Sequence, residues 1–166
     1  MHPLKRIHAK LMRDAKAAAG QVRQWRREGV RTIVFTNGCF DLLHRGHFTY
    51  LAEAAALGDR LVVGVNSDVS VQRLKGPHRP ILPLSDRMFQ LATLFFVDLV
   101  VPFEEDTPYH LIREVAPNIL VKGGDYHLDD VVGRDVVEKQ GGKVVILPFV
   151  SGYSTSSLVD RIRRRH

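Results

Sequence analysis

Five short apolar runs alternate with helix-like segments along most of this chain. The apolar runs are rich in Val, Ile and Leu and lie at residues 32–36, 60–66, 99–103, 118–122 and 143–148. A helical spacing of apolar residues follows each run, at residues 48–57, 84–96, 108–115, 130–140 and 154–164. Strands that are apolar throughout are typical of a sheet buried on both faces, and alternating β and α segments imply parallel strands. The sequence therefore predicts an α/β fold, a three-layer sandwich around a mostly parallel five-stranded sheet.

An amphipathic helix is predicted ahead of the first strand, at residues 4–27, with a break near Gly20. Its apolar residues recur at steps of three and four and form one stripe: Leu4, Ile7, Leu11, Ala15, Ala18, Val22 and Trp25. Because Gly29 is a suitable C-cap, we divide the chain into an N-terminal helical extension, residues 1–29, and a main domain, residues 30–166. The stripe is expected to pack on the main domain or on a second subunit, and it favours a homodimer. Alanines interrupt it, which disfavours a membrane-surface helix.

The formal charge of +6 raises the question of a nucleic-acid partner. Residues 1–31 hold nine basic and two acidic residues, and residues 160–166 hold four arginines and one aspartate. The intervening 32–159 segment has eleven basic and fifteen acidic residues, so the body of the chain is mildly acidic. Basicity confined to the termini predicts a solvated surface and no nucleic-acid partner. The single cysteine, the absence of a signal-like segment and the absence of an apolar run of about 20 residues predict a cytoplasmic protein with no membrane contact.

The run from Thr36 to His47, TNGCFDLLHRGH, joins the first predicted strand to the next predicted helix. A helix N-terminus offers free N–H groups and a partial positive charge, which attract anions. Gly46 would let a phosphate approach the backbone closely, and His44 and His47 can donate hydrogen bonds to phosphate oxygens. A zinc site is the alternative, but the spacing supplies two histidines and places Cys39 inside the turn. The run therefore predicts a phosphate-binding site with no protein-held metal.

Two polar segments follow the second predicted strand. The first, residues 66–68, is expected either to meet a ribose or base through Asn66 and Asp68 or to cap the next helix. The second, RLKGPHRP at residues 73–80, predicts a loop. A basic loop beside a phosphate site is often a mobile clamp, in which Lys75 would neutralise phosphate charge; a solvated connection is the alternative.

Two further segments, both in the C-terminal part of the chain, have residue types that are typical of ligand-binding sites. The fourth predicted strand ends in the run KGGDY, which comprises Lys122, Gly123, Gly124, Asp125 and Tyr126. Paired glycines allow close backbone contact with a ligand, although they also make turns. Hydroxyl residues at 154–157 precede the last helix, where they predict either a second anion site or ordinary helix capping.

The NGCFDLLHRGH run resembles the HxGH signature of the nucleotidyltransferase superfamily, in the form used by its cytidylyltransferase-like branch. Six runs are similar to those of D-glycero-β-D-manno-heptose 1-phosphate adenylyltransferases: FTNGCFDLLHRGH, VNSDVSVQRLKG, RPILPL, FEEDTP, VKGGDY and GYSTSS. The resemblance implies a Rossmann-like fold and an enzyme that makes ADP-heptose and pyrophosphate from ATP and a sugar 1-phosphate with Mg²⁺, for lipopolysaccharide core or surface glycan biosynthesis. The domain occurs in that family alone or fused behind a sugar kinase, and the length of this chain predicts the stand-alone form.

The resemblance also implies roles for individual residues. His44, His47, Lys75 and Arg87 would bind phosphates and act in catalysis. Asp41 would contact the sugar phosphate or serve a structural purpose. Together, the sequence pattern and the resemblance place the nucleotide against Thr36, Asn37, Gly38, Cys39, Phe40, Gly46, Asn66, Asp68, Lys122, Gly123, Asp125, Tyr126, Ser154, Thr155 and Ser156.

Other members of the superfamily remain open as alternatives. The glycerol-3-phosphate cytidylyltransferase family carries an arginine-threonine-glutamate-glycine run where this chain has FVSG, residues 149–152. That family also carries a methionine-glycine-aspartate-aspartate-tryptophan run where this chain has KGGDY, residues 122–126. Both differences favour the heptose family, on which the preference for adenine rests. A flavin adenylyltransferase and a non-catalytic nucleotide-binding module are further alternatives; the joint presence of His44, His47, Lys75 and the 154–156 hydroxyls disfavours the second.

Overall fold

Five parallel strands form the central sheet of the computed structural model, which describes residues 2–124 and 126–164. The strands are β1 (Ile33–Gly38), β2 (Arg60–Asn66), β3 (Leu99–Phe103), β4 (Ile119–Gly123) and β5 (Lys143–Leu147). Their order is β3-β2-β1-β4-β5, and every neighbouring pair is parallel. The predicted α/β sandwich is confirmed, and the sheet is wholly rather than mostly parallel.

Helices connect the strands and cover both faces of the sheet. They are α1 (Pro3–His8), α2 (Ala15–Arg27), α3 (Arg45–Ala55), α4 (Asp68–Lys75), α5 (Leu84–Thr93), α6 (Tyr109–Val115), α7 (Arg134–Lys139) and α8 (Thr155–Arg163). A short 3₁₀ turn, Leu128–Asp130, precedes α7. The predicted loop at residues 73–80 is wrong at its start, because Arg73 to Lys75 form the last turn of α4.

Alternating side chains of the strands build two separate cores. Ile33, Phe35 and Leu120 point to one face, where they pack with residues of α2, α6 and α7. Val34 and Val121 point to the other, where they pack with residues of α3 and α5. Strand side chains alternate with a period of two, so apolar residues at every position fill both cores, as expected for a sheet with helices on both faces.

The N-terminal region differs from the predicted single helix. The break lies at residues 9–14 rather than near Gly20, which is inside α2. Within the break, Met12 N donates to Val100 O at 2.8 Å, and Val100 N donates to Lys10 O at 2.8 Å. The chain is extended there because residues 10–12 pair with β3, and they cover an edge strand that would otherwise expose unpaired backbone groups.

The apolar stripe of the N-terminal region packs against the chain's own sheet. Ala18 and Val22 are buried in the core beneath α6, and Ile7 and Leu11 pack against the opposite core. The stripe therefore gives no support for a homodimer, which stays a prediction. Within residues 2–124 and 126–164, no helix is long and apolar enough to cross a bilayer.

The strand order places a switch point between β1 and β4. From β1 the chain proceeds outward to β2 and β3, and it then returns to β4 on the other side of β1. The loops that leave β1 and β4 therefore diverge to opposite faces, which opens a crevice at the carboxyl ends of these strands. Ligands of open α/β sheets bind in such crevices, and the motif at residues 36–47 lies there.

Candidate active site

A cleft of about 920 Å³ opens at the carboxyl ends of β1 and β4. Segments that are far apart in the sequence meet around it: the β1–α3 turn, the end of α4, the β4 end and the start of α8. The lining residues are Asn37, Gly38, Cys39, Phe40, Asp41, His44, Gly46, His47, Tyr50, Asn66, Lys75, Arg79, Lys122, Gly123, Tyr126, Phe149, Val150, Ser151, Gly152, Tyr153, Ser154, Thr155 and Ser156. Most of the predicted site residues are thus brought to one cavity.

The two histidines of the HxGH run stack on each other at the start of α3. Their ring centroids are 3.9 Å apart with an interplanar angle of 28°. His44 is the N-cap residue, but its side chain makes no capping hydrogen bond. Its carbonyl oxygen accepts from His47 N at 2.9 Å and from Phe48 N at 3.2 Å. The N-terminus of α3 therefore directs free N–H groups and its dipole toward the cleft, an arrangement suited to an anion.

Burial keeps both histidines neutral at physiological pH. It lowers the pKa of His47 to about 4, with smaller contributions from His44 and Lys75, and it also lowers the pKa of His44. A neutral imidazole has one N–H donor and one acceptor nitrogen. The Nδ1 atoms of His44 and His47 are buried and have no hydrogen-bond partner among the described residues. Buried polar atoms are normally paired, so these atoms mark a position for a ligand or water.

Gly46 separates the two histidines and leaves no room for a side chain. A Cβ at this position would lie 3.0 Å from His44 Nδ1 and 3.1 Å from Tyr153 Cβ. Tyr153 in turn stacks on His44, with ring centroids 6.3 Å apart. Glycine thus permits the close approach of the loop before α8 to the histidine pair.

The turn after β1 shapes the wall of the cleft beside His47. Phe40 has a φ of 47°, a left-handed conformation that is rare without glycine, and its ring meets the His47 ring edge-on at 5.5 Å. Burial raises the pKa of the neighbouring Cys39 thiol, so the group stays protonated. Cys39 is therefore a lining residue rather than a nucleophile.

Arg87 lies beneath the cleft instead of inside it. Its side chain is fully buried, where Nε donates to Leu82 O at 3.0 Å and Nη1 donates to Cys39 O at 2.5 Å. Nη2 donates to Asn66 O at 2.8 Å and to Asp68 Oδ1 at 2.7 Å. Protein groups thus occupy four of the five N–H donors of the guanidinium, and the phosphate contact of Arg87 stays a prediction.

Two predicted nucleotide contacts lie outside the cleft lining for related reasons. The Asp68 carboxylate pairs with Arg87, and Ser67 caps α4 by accepting from Ser70 N at 3.1 Å. The capping alternative for this segment is therefore confirmed, while Asn66 reaches the cleft. Thr36 is fully buried, and its Oγ1 lies 2.6 Å from the Tyr50 hydroxyl.

The end of β4 contributes a partly buried lysine. Lys122 Nζ donates to the Asn37 side chain, which bridges the β1 and β4 ends, and burial lowers the pKa of Lys122 to about 8. A Cβ at Gly123 would lie 3.0 Å from Phe149 Cε1 and 3.1 Å from Tyr50 Cε2, so a larger residue there would press on both rings. Asp125, a predicted nucleotide contact, lies outside the described residues.

The start of α8 faces the histidine pair across the cleft. Ser154 Oγ accepts from Ser157 N at 3.0 Å, so Ser154 is an ordinary N-cap. Thr155 Oγ1 donates to Leu42 O at 3.5 Å, which links α8 to the loop before α3. Ser154, Thr155 and Ser156 also line the cavity, so both interpretations of this segment, helix cap and second anion site, are compatible with the geometry.

Comparison with known proteins identifies the family to which this site belongs. The sequence profile described as cytidylyltransferase-like matches residues 35–161, which span the cleft from β1 to α8. The chain belongs to the cytidylyltransferase-like family. It is accordingly a nucleotidyltransferase.

Curated relatives of this nucleotidyltransferase include longer bacterial proteins. The bifunctional protein HldE of Magnetococcus marinus is 54% identical over 145 residues, which cover 87% of this chain and 30% of that protein. The protein of the same name from Nitrosococcus oceani is 58% identical over 132 residues, which cover 80% of this chain and 28% of that protein. The chain thus spans about a third of the length of these relatives.

Two solved structures share the fold. A lipopolysaccharide core biosynthesis protein from Thermoplasma volcanium is 34% identical with a TM-score of 0.59, and the match covers 74% of this chain and 98% of that one. Pantoate–β-alanine ligase from Francisella tularensis is 12% identical with a TM-score of 0.59, covering 92% of this chain and 76% of that one. The second likeness shows the fold alone.

Sequence reasoning missed seven lining residues of this nucleotidyltransferase: Tyr50, Arg79, Phe149, Val150, Ser151, Gly152 and Tyr153. Tyr50 is one turn into α3, where its hydroxyl donates to Val121 O at 3.2 Å and burial raises its pKa to about 12. Tyr50 has no signal in the sequence, because a tyrosine at that position of an amphipathic helix is typical of a core residue. Phe149 and Tyr153 both precede the hydroxyl motif, and their aromatic character beside a predicted ligand site was an available signal.

Side chains alone do not form a metal centre in the part of this nucleotidyltransferase that the structure describes. No group of three His, Cys, Asp or Glu side chains among those residues is placed to hold a metal ion. The Asp41 carboxylate is occupied by Arg79 Nε at 2.6 Å and by two backbone amides. This arrangement fits a magnesium ion that arrives with nucleotide phosphates, which with water complete most of its shell.

Proposed function

We propose that this chain transfers AMP from ATP to D-glycero-β-D-manno-heptose 1-phosphate, giving ADP-heptose and pyrophosphate for lipopolysaccharide core or surface glycan biosynthesis. The observation that supports the transfer chemistry best is the pair of stacked, neutral histidines at the start of α3, whose buried Nδ1 atoms have no hydrogen-bond partner within residues 2–124 and 126–164. The heptose assignment rests on the resemblance of six sequence runs and on the similarity to a lipopolysaccharide core biosynthesis protein.

The reaction is an in-line displacement at the α-phosphorus of the nucleotide. A phosphate oxygen of the sugar phosphate forms the new P–O bond, the bond to the bridging oxygen of the β-phosphate breaks, and pyrophosphate leaves. A phosphate monoester has a second pKa near about 6, so the attacking group is already ionised at neutral pH. The protein therefore needs no strong general base, and its task is to position the reactants and stabilise charge.

The residues of the cleft divide this task by position. His44 and His47, as neutral N–H donors, bind non-bridging phosphate oxygens next to the free N–H groups of α3. Lys75, at the end of α4, and Lys122, at the end of β4, supply positive charge from two sides. Ser154 to Ser156 bind phosphate oxygens at the start of α8. Arg87 acts indirectly, because it holds the Cys39 and Asn66 carbonyls that form the floor.

Magnesium is the proposed cofactor. The ion would be held chiefly by phosphate oxygens and water, with the polar lining of the cleft around it, and it would neutralise charge on the departing pyrophosphate. Asp41 is not among its proposed ligands, because that carboxylate already accepts hydrogen bonds from Arg79 and from the amides of Ile81 and Leu82.

A cytidylyltransferase for glycerol 3-phosphate or a related alcohol phosphate is the second candidate. The family description supports it. Lys122 and the FVSG run at residues 149–152 favour a sugar phosphate and ATP instead, since both segments differ from those of the glycerol-3-phosphate enzymes. A flavin adenylyltransferase has less support. A reaction that consumes ATP fits the cytoplasm, where we place the protein.

Pyrophosphate release measured on matched substrate pairs tests the assignment. Purified protein with Mg²⁺ is offered ATP or CTP, each with the β-heptose 1-phosphate, its α anomer or glycerol 3-phosphate. We expect release only with ATP and the β-heptose 1-phosphate. Release with CTP and glycerol 3-phosphate would establish the second candidate, and no release with any pair would refute both substrate assignments.

A further inference from the structure

The loop between α4 and α5, residues 76–83, is tied to the β1–α3 turn by one carboxylate. Asp41 Oδ2 accepts from Arg79 Nε at 2.6 Å, while Oδ1 accepts from Ile81 N at 2.8 Å and from Leu82 N at 3.0 Å. The Asp41 side chain is 1% exposed and that of Arg79 is 17% exposed. Three hydrogen bonds thus fix both the backbone and the one arginine of this loop.

The position of this ion pair differs from that of an ordinary buried pair. Burying two charges is unfavourable unless they are paired and hydrogen-bonded. Asp41 could anchor the loop through the two backbone amides of the loop alone, without the arginine. Arg79 nevertheless remains part of the cleft lining, in the same cavity as His44, His47 and Lys75. The arginine is therefore held at the ligand cavity by a partner whose own side chain is almost fully buried.

The geometry of the guanidinium leaves donors for a ligand. An arginine has five N–H donors in a rigid planar fork, and phosphate groups accept two of them in parallel. Nε is the atom that meets Asp41. The opposite edge of the fork, formed by Nη1 and Nη2, can bind a phosphate without breaking the pair. This division of the guanidinium contrasts with Arg87, whose three nitrogens all donate to protein groups.

We infer that Arg79 is a further phosphate-binding residue of the cleft and that Asp41 is the residue that positions it. The inference rests on the proposed nucleotidyl transfer, from which it takes the site. Its ligand is a phosphate group, which either the nucleotide or the sugar 1-phosphate can supply. The sequence left open whether Asp41 contacts the sugar phosphate or has a structural role. Its role is the structural one of orienting Arg79, and loss of Asp41 should therefore weaken ligand binding.

Arg73 provides a matched control. It lies at the other side of the α4 end, and its Nε also meets an aspartate, Asp106, at 2.8 Å, but it is not a cleft residue. Arg79→Gln and Arg73→Gln remove the same charge and an ion pair from Nε to an aspartate, a buried pair at the cavity and an exposed pair outside it. Asp41→Asn keeps an oxygen for the two loop amides and removes the negative charge that orients Arg79.

The test compares these variants in calorimetric titrations with pyrophosphate and with ATP, and in steady-state kinetics. Arg79→Gln should weaken pyrophosphate binding, or raise the KM of one substrate, at least about tenfold with a smaller change in kcat. Asp41→Asn should shift the same parameter in the same direction, and Arg73→Gln should stay within about twofold of the wild type. An increase confined to the KM for ATP assigns Arg79 to the nucleotide; an increase confined to the sugar phosphate assigns it to the acceptor.

Unchanged affinity and KM in a folded Arg79→Gln protein would overturn the inference and leave the proposed reaction intact. If the variant does not fold, Arg79→Lys replaces it, since a lysine can pair with Asp41 but cannot bind a phosphate with a second edge; full wild-type affinity would then refute the inference. If the wild type turns over no substrate pair and the Arg79 variant still loses pyrophosphate affinity, the reaction is refuted and the site remains.

Discussion

At the residue scale, His47 is expected to contribute to turnover and little to folding. Its ring is neutral, it stacks on His44, and its Nδ1 has no hydrogen-bond partner in the part of the chain that the structure describes. Removal of one donor to a transition-state oxygen lowers kcat by about 100-fold or more. We expect such a loss for His47→Ala, with a melting temperature close to that of the wild type. The measurements are pyrophosphate release and thermal unfolding.

The control for this prediction is His110→Ala. His110 lies on α6 and is half exposed, at a distance from the cleft lining. This variant should retain wild-type turnover. Normal turnover in His47→Ala as well would remove the histidine from the proposed mechanism.

Lys122 gives the folded protein a specific dependence of stability on pH. Its pKa falls from 10.5 to about 8 on folding, because burial disfavours the charged ammonium. Between these values the unfolded chain binds more protons than the folded one, so the free energy of unfolding rises with pH. The lysine is therefore unfavourable below pH 8, and this penalty, on the order of 3 kcal/mol, is relieved as the pH approaches 10.5.

Lys122→Met isolates this effect. The wild type should gain stability relative to the variant between about pH 8 and pH 10, in urea unfolding at a series of pH values. Lys139→Met, which removes an exposed lysine from α7, corrects for a general loss of charge. A difference between Lys122→Met and the wild type that stays constant over this range would contradict the prediction.

Single residues also show where sequence reasoning ends. The HxGH histidines and Gly46 were predictable because their spacing after a strand defines a helix start. Thr36 belongs to the same run and Arg87 was predicted from the family resemblance, yet the structure buries both beneath the cleft, where they bond to protein atoms. A sequence motif identifies residues that lie near one site, but it does not predict how deeply each side chain is buried. Burial depends on contacts between segments that are distant in the sequence.

At the element scale, the start of α3 depends on the absence of a side chain at position 46. A Cβ there would approach His44 Nδ1 to 3.0 Å and Tyr153 Cβ to 3.1 Å, closer than ordinary contact, so one of the rings must move. Gly46→Ala should lower kcat at least about tenfold, because small displacements of catalytic groups strongly affect rate. Its effect on stability should be small, since alanine favours the helix.

Gly20→Ala is the matched control in α2. The nearest atom to a Cβ at Gly20 is Arg23 Nη2 at 3.9 Å, so the site is open. This variant should be more stable by about 0.5–1 kcal/mol with unchanged turnover. Denaturant unfolding and pyrophosphate release on both variants check the pair, and full activity in Gly46→Ala would show that the histidine stack tolerates displacement.

Element boundaries were predictable to different degrees. The bounds of β2 and β3 were correct, because apolar runs with β-branched residues end abruptly at polar ones. Helix α4 was assigned in part to a loop, because its end is basic and is followed by Gly76, a pattern shared by loops and helix ends. The break at residues 9–14 was misplaced because pairing with β3 leaves no signal in local periodicity.

At the scale of the whole molecule, the N-terminal region completes the sheet. Deletion of residues 2–13 would remove the pairing of residues 10–12 with β3 and the packing of Ile7 and Leu11. We expect a loss of about 2–3 kcal/mol in the free energy of unfolding. Self-association should increase as well, because an exposed edge strand can pair with another chain. Urea unfolding and light scattering measure the two effects.

The control for the deletion is Leu4→Ser, which changes an exposed residue of α1 and leaves the edge pairing in place. It should match the wild type in both measurements. Equal stability of the deletion and the wild type would mean that residues 2–13 do not support the sheet.

The overall architecture was predictable because the alternation of β and α segments allows few arrangements of a parallel sheet. Assembly is a different matter. The stripe at residues 4–25 suggested a homodimer, but a periodic apolar face looks the same whether it covers its own sheet or another subunit, and here it covers its own.

The contacts of Arg87 bear on how this protein can diverge. Three of its four hydrogen bonds end on main-chain carbonyls, those of Leu82, Cys39 and Asn66. A bond to a carbonyl is indifferent to the side chain of the residue that carries it, so this contact permits substitution at the partner positions. Lysine at position 87 would present one compact ammonium in place of a planar fork and could not span the three carbonyls. We therefore expect the side chains at positions 39, 66 and 82 to vary among relatives far more than the arginine at position 87.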